Sequence, residues 1–203
     1  MAPWATSSLL ILKSIGSELF LLEKSKKRGN IMQNYQTNKM KIRNLTISAV
    51  FMALGLVMHF MVPGVFFGVK PDFLLSMMFI SLMITTDMKE ALLIGVAGGI
   101  MSALTTGFPG GQIPNFIEKI ITSLVVFSII KTMKNTYSIP KVILIFALGT
   151  LVSGTMFLGI ALTMTKQLNL FAPSFPAVLV AMVINSILGV FLYQATKRMN
   201  ILN

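Results

Sequence analysis

Cysteine is absent from this sequence of 203 residues, and charged residues make up only 11% of it. The lack of cysteine excludes disulfides and thiolate metal sites. A soluble domain carries about 25% charged residues, so this chain has too few polar groups to cover a surface that faces water. Together with 55% hydrophobic residues and a mean hydropathy of +0.81, this composition excludes an ordinary soluble enzyme and indicates an integral membrane protein.

Catalytic and nucleotide-binding motifs are also missing. The sequence has no Walker motif, no Gly-x-Ser-x-Gly and no His-Glu-x-x-His, which are the patterns of nucleotide binding, acyl transfer and zinc-dependent hydrolysis. A single histidine without cysteine is too few ligands for a metal site. We therefore expect no enzymatic activity, no metal and no cofactor.

Apolar runs separated by short polar breaks predict an all-α, polytopic membrane protein, a bundle of six transmembrane helices. The predicted spans are residues 45–62, 73–86, 91–106, 113–131, 142–165 and 174–195. The second and third are shorter than the roughly 20 residues that a perpendicular helix needs to cross a bilayer. They either extend into their flanks or are sheltered from lipid by neighbouring helices.

The basic residues are unevenly distributed between the two ends of these spans. Eight of the seventeen precede the first span. With the N-terminus inside, six more fall in the inner loops and the C-terminal tail, whereas the outer loops hold only Lys70 and Lys166. Because cytoplasmic loops retain lysine and arginine, both termini are predicted to be cytoplasmic. The same placement explains the net charge of +11 without a nucleic-acid partner.

Residues 1–40 form a basic N-terminal extension before the six-helix membrane domain, residues 41–203. Apolar side chains recur in the extension at helical spacing, at Leu9, Leu12, Ile15, Leu19 and Leu22. One interpretation is an amphipathic helix at the membrane interface. The other is that the segment is not natively translated, because the codons for residues 26–29 can form a purine-rich ribosome-binding site just before Met32.

The fourth span carries the main candidate for a functional site. Its polar residues lie at i, i+3, i+4 and i+7, on one face of a helix: Asn115, Glu118, Lys119 and Thr122. Glu118 and Lys119 would lie about 8 Å below the outer end of the span. Ionisable groups at this depth are costly in lipid and usually functional, so we expect the face to line the interior, either as a binding site or as an internal pair that fixes the bundle.

Other polar residues near the outer end are weaker candidates. His59 either contacts a ligand or is a hydrogen-bonded interfacial residue, and Lys70 is suited to an anionic group. Asp72 has the position of a helix N-cap. Asn185, in the middle of the sixth span, is expected to hydrogen-bond a neighbouring helix.

Several strings resemble a known family of membrane proteins. Six short spans and Ala49-x-x-x-Ala53 resemble the substrate-binding (S) components of energy-coupling factor (ECF) transporters. More specifically, VKPDFLLSMMF (69–79) and TTGFPGGQIPNFIEKIIT (105–122) are similar to the bacterial tryptophan transporter family. The resemblance covers about residues 41–198. It implies tryptophan uptake across the bacterial cell membrane, with Ala49 and Ala53 docking an ECF transmembrane coupling subunit and its ATPases.

The implied ligand agrees with the chemistry of the candidate residues. Lys119 or Lys70, together with Glu118, offers the two charges that a zwitterionic amino acid requires. Gln112 and Asn115 either hydrogen-bond the amino acid or cap the fourth helix. Apolar walls for an indole are available from Phe66, Phe67, Phe108 and Phe116.

Three alternatives stay open at this point. The same scaffold can import another small nutrient, such as a vitamin, or the chain can work alone on an ion gradient with Glu118 as the protonated group. The third is a membrane subunit that transports nothing and whose small-residue stripes serve assembly only.

Overall fold

The structure, a computed structural model, describes residues 3–61, 71–133 and 137–199, with side chains from residue 23 onward. The described residues form no strand. Six helices follow one another: α1 (Pro3–Met61), α2 (Phe73–Ile84), α3 (Met88–Leu104), α4 (Gln112–Thr132), α5 (Ile139–Met164) and α6 (Phe171–Arg198), with a 3-10 turn at Leu168–Leu170 before α6. The predicted all-α fold is confirmed, and each predicted span corresponds to a helix.

The chain divides into two compact units, residues 1–42 and residues 43–203. The first unit is helical throughout its described part, and its side chains from residue 23 to 40 are exposed. The apolar stripe predicted between residues 9 and 22 lies outside the residues whose side chains are described. The second unit contains the last part of α1 together with α2 to α6. Helix α1 thus begins well before residue 45, where the first span was expected to start.

Within the described residues, four helical segments are long and apolar enough to cross a bilayer: Glu23–Met61, Gln112–Thr132, Ile139–Met164 and Leu168–Arg198. The remaining two helices, α2 and α3, have 12 and 17 residues. Helix α2 is only about 18 Å long at 1.5 Å per residue. Nine of its twelve side chains are buried, so α2 is sheltered by its neighbours, one of the two possibilities expected for the short spans.

The core lies around α2. Phe79 of α2 and Phe146 of α5 are fully buried and meet edge to face, with ring centroids 5.3 Å apart. Met52 of α1 and Met78 of α2 fill the space against Gly98 of α3, where a Cβ would lie 3.0 Å from the Met78 sulfur. Bulky side chains on α2 are therefore accommodated by small residues on the helices around it.

Side chains from three other elements fix the C-terminal end of α2. The Asn44 amide donates to the carbonyl of Ile84 at 2.9 Å, and the Tyr137 hydroxyl donates to the carbonyl of Met83 at 2.7 Å. The Tyr193 hydroxyl donates in turn to the Tyr137 carbonyl at 3.0 Å. Burial, and to a lesser extent Tyr193, raises the pKa of Tyr137, which keeps this hydroxyl protonated as a donor.

Candidate functional site

A cavity of about 400 Å³ lies at the end of the bundle where α1, α3 and α5 finish and α2, α4 and α6 begin. Residues from all six helices contribute to it. Its polar lining includes Asp72, Asn115, Glu118, Lys119, Ser153 and Asn185. Its apolar lining includes Leu75, Phe108, Phe157, Leu158, Val178 and Ala181. The cavity thus combines hydrogen-bonding and charged groups with aromatic and aliphatic surface.

Helix α4 supplies the centre of the polar lining. No side chain caps the start of α4, and its third residue is a proline. The helix therefore starts with a backbone hydrogen bond, in which the Gly111 carbonyl accepts from the backbone amide of Asn115 at 3.0 Å. The polar residues that follow at i, i+3, i+4 and i+7 then fall on the buried face of α4: Asn115, Glu118, Lys119 and Thr122. Helical periodicity places these groups on one face of α4, and the packing of the other helices buries that face.

Glu118 and Lys119 form an ion pair that is almost completely buried, with side-chain exposures of 1% and 3%. The second oxygen of Glu118, Oε2, accepts from Ser153 Oγ at 2.7 Å and from Thr122 Oγ1 at 3.3 Å. Lys119 Nζ also lies 3.5 Å from Ser153 Oγ. Burying two charges requires that they be paired and hydrogen-bonded, and these contacts meet that condition.

Asp72 joins this pair from the start of α2. Its Oδ1 accepts from the Leu75 amide at 2.9 Å, which confirms the predicted N-cap, and its Oδ2 lies 3.5 Å from Lys119 Nζ. The backbone amide of Asp72 donates to Asn185 Oδ1 at 3.1 Å, and Asn185 Nδ2 reaches Thr150 Oγ1 at 3.3 Å. Asn185 therefore makes the predicted bond to another helix and also holds the position of Asp72.

The structure gathers some of the predicted site residues and not others. His59, Phe108, Asn115, Glu118 and Lys119 all line the cavity. His59 Nδ1 lies 3.7 Å from Asp72 Oδ1, Asn115 Oδ1 accepts from Ser102 Oγ at 3.1 Å, and Phe108 meets Phe157 edge to face at 5.6 Å.

Two of the other predicted residues, Gln112 and Phe116, do not line the cavity. The side chain of Gln112 is exposed and is not part of the cavity lining. Phe116 packs its backbone against Gly99 and is also not part of the lining. Phe66, Phe67 and Lys70 lie outside the described residues.

Sequence reasoning missed the contribution of α5. Thr150, Ser153 and Phe157 all line the cavity but lie in a helix whose sequence is predominantly apolar. The available signal was weak. It was the spacing of Thr150 and Ser153, which are three residues apart and therefore lie on one face of the helix. Nothing local distinguishes Phe157 from the other phenylalanines of the chain.

Comparison with protein families identifies the chain. The family model described as "Tryptophan transporter TrpP" matches residues 41–200, which is most of the chain and all six helices in whole or in part. The chain belongs to the tryptophan transporter family. This agrees with the resemblance seen in residues 69–79 and 105–122, and it confirms the prediction of a transport protein rather than an enzyme.

Three curated relatives of this family are similar over nearly their whole length. A probable tryptophan transport protein of Clostridium acetobutylicum is 37% identical over 163 residues, covering 79% of this chain and 95% of the relative. Another from Bacillus subtilis is 37% identical over 78% of this chain and 92% of the relative. A third from Clostridium perfringens is 34% identical over 78% and 96%. No solved structure matches the chain.

Family membership and the apolar helices together make the chain a multi-pass bacterial membrane protein of the tryptophan transporter family. The cavity lies in the matched part of the chain, residues 41–200.

Proposed function

We propose that this protein takes up tryptophan, which it binds in the 400 Å³ cavity from the extracellular side. The observation that carries the proposal is the combination, in one cavity, of a buried ionic cluster and an aromatic pair. A zwitterionic amino acid needs both charges at one end of the site, and an indole ring needs apolar contacts at the other. The volume falls within the range of small-molecule pockets, about 300–1,000 Å³.

The distribution of basic residues supports the direction of entry. The helix ends and loops opposite the cavity hold Lys89, Lys131, Lys141, Lys197 and Arg198, whereas Lys166 lies at the cavity end. Because positive residues stay on the cytoplasmic side, this arrangement supports a cavity that opens outward and termini that lie in the cytoplasm.

The energy source that we propose is an ECF-type module, with this chain as its S component. The first helix offers the surface that such docking needs, since Ala49 and Ala53 are four residues apart and both exposed. Small side chains let another helix approach closely. The partner would be the transmembrane coupling subunit, which carries the ATPases that this chain lacks.

Tryptophan binding can be tested with the intrinsic fluorescence of the ligand. Trp4 is the only tryptophan, so a Trp4→Phe variant of the full chain contains no indole. Titration of this variant with tryptophan in detergent, with excitation selective for indole, is expected to give saturable, blue-shifted emission. A monodisperse protein that gives only the linear signal of free ligand would refute the proposal and favour another nutrient, with water-soluble vitamins the next ligands to test.

A second candidate, transport on an ion gradient by this chain alone, is favoured by one observation. Glu118 is a buried carboxylate in the membrane domain that contacts the cavity, and such groups are typical of proton relays. Uptake by proteoliposomes that contain only this chain, compared with uptake by proteoliposomes that also contain the coupling subunit and its ATPases, separates the two candidates. Uptake driven by an imposed pH gradient would favour the ion-coupled transporter, and uptake that requires the coupling subunit and ATP would favour the S component.

A further inference from the structure

Among the described residues, the charges in the polar lining do not balance. Asp72, Glu118 and Lys119 form one cluster, with two carboxylates against one lysine. The remaining titratable group among the described lining residues is His59, which lies 3.7 Å from Asp72 Oδ1. With His59 neutral, the cluster carries one excess negative charge, so a cationic group on a ligand would complete it.

Glu118 has little capacity left to bind that cation. One of its oxygens pairs with Lys119, and the other accepts from Ser153 and Thr122. Its side chain is 1% exposed. A ligand could reach the Glu118 carboxylate only by displacing Lys119 or one of the two hydroxyls. Glu118 is therefore best described as the residue that holds Lys119 in place.

Asp72 is the accessible carboxylate of the cluster. Its side chain is 28% exposed, and its Oδ2 has a loose contact with Lys119 Nζ at 3.5 Å. A carboxylate offers about four lone-pair sites, and the helix cap uses one of them on Oδ1. Asn185 fixes the backbone of Asp72 against α6, so the free capacity of the carboxylate is held in a constant position at the cavity.

We propose that Asp72 binds the α-ammonium group of the substrate and so makes the site selective for amino acids over acids that carry the same ring. This inference rests on the proposed function and assigns a role within it. The ammonium provides the missing positive charge and donates charge-assisted hydrogen bonds to Asp72. An indole acid without the amine leaves the excess negative charge uncompensated and binds poorly.

The variant Asp72→Asn tests this role because asparagine caps a helix as well as aspartate does. The substitution removes the charge and preserves the start of α2. In the Trp4→Phe background, we expect tryptophan to bind about 10- to 100-fold more weakly, the cost of a lost hydrogen bond to a charged group. The binding of indole-3-propionate, which lacks the amine, should not weaken and is expected to tighten, because the substitution removes the uncompensated negative charge of the cluster. The matched control is Asp87→Asn, which alters the N-cap of α3 outside the cavity and should change neither affinity.

A comparison of ligands on the Trp4→Phe chain gives a test that does not depend on the folding of the variant. We expect tryptophan to bind at least about 10-fold more tightly than indole-3-propionate. Equal affinities for the two ligands would overturn the role of Asp72, as would unchanged tryptophan affinity in a folded Asp72→Asn variant. Failure of tryptophan itself to bind would instead overturn the proposed function, so the two failures are distinguishable.

Discussion

The buried pair of Glu118 and Lys119 makes a quantitative prediction about stability. Replacing Lys119 with methionine keeps most of the length of the side chain and removes its charge. Glu118, whose side chain is 1% exposed, is then left without a counter-charge. Asp72 also loses its 3.5 Å contact with the Lys119 ammonium group. Breaking a buried pair in this way costs about 3–5 kcal/mol, because an uncompensated charge is left in the interior. For a chain of this size, each kcal/mol lowers Tm by about 2–4 °C, so a decrease of about 6–20 °C is expected.

The assay is thermal unfolding of the purified protein in detergent, followed by circular dichroism. Lys131→Met is the matched control on the same helix, because Lys131 is exposed and lies 5.2 Å from the ring of Phe127. A contact of this kind at the surface contributes about 0.5–1 kcal/mol. The control should therefore unfold within a few degrees of the parent chain.

The double variant Glu118→Gln with Lys119→Met separates loss of charge pairing from loss of packing. Removing both charges eliminates the uncompensated carboxylate, so the double variant should be more stable than Lys119→Met alone, by about 1 kcal/mol or more. Two results would refute the reasoning. One is a Tm for Lys119→Met equal to that of Lys131→Met, and the other is a double variant that is less stable than the single one.

Three further changes probe other parts of the molecule. In Gly149→Ala, the new Cβ would lie 2.5 Å from the buried ring of Phe79, so the free energy of unfolding should fall by about 1–3 kcal/mol. Gly159→Ala is the control, because the space around Gly159 is open, and it should be at least as stable as the parent in the same thermal unfolding assay. Tyr137→Phe removes a 2.7 Å bond at the end of α2 and should cost about 1 kcal/mol without changing the tryptophan affinity. Ala49→Leu should leave tryptophan binding intact and prevent uptake that depends on the ECF module, by a clash at the docking surface.

Each of these has a result that would contradict it. Equal stability of the two alanine variants would mean that α2 and α5 pack less closely than the structure has them. A tryptophan affinity that falls with Tyr137→Phe would mean that the two ends of α2 are coupled. Uptake that persists at the parent rate with Ala49→Leu would remove this position from the docking surface.

Much of the fold was predictable because it depends on short-range patterns. The span expected at 113–131 corresponds to α4, Gln112–Thr132, since apolar runs and helical periodicity are local properties of the sequence. The same periodicity placed Glu118 and Lys119 on one interior face, where both are buried. The role of Asp72 as a helix cap was equally local, because it follows from the residue type before an apolar run.

The pairing between helices was not predictable from these patterns. The contact of Asp72 with Lys119 joins residues 47 positions apart, and that of Ser153 with Glu118 spans 35. Such contacts depend on how α2, α4 and α5 pack, which no local pattern specifies. For the same reason, sequence reasoning left open whether Glu118 binds a ligand or forms an internal pair, because its contact with Ser153 of α5 follows from no local pattern.

The most direct test of the account is to fill the cavity. Ala181 of α6 belongs to the apolar lining of the cavity, and Ala181→Phe places a ring in the cavity. Val183→Phe is the control, since Val183 is 54% exposed on the same helix and does not line the cavity. In the Trp4→Phe background, the account predicts saturable tryptophan binding for the parent and for Val183→Phe, and its loss in a folded Ala181→Phe variant. Unchanged tryptophan affinity in Ala181→Phe would contradict the assignment of this cavity as the binding site.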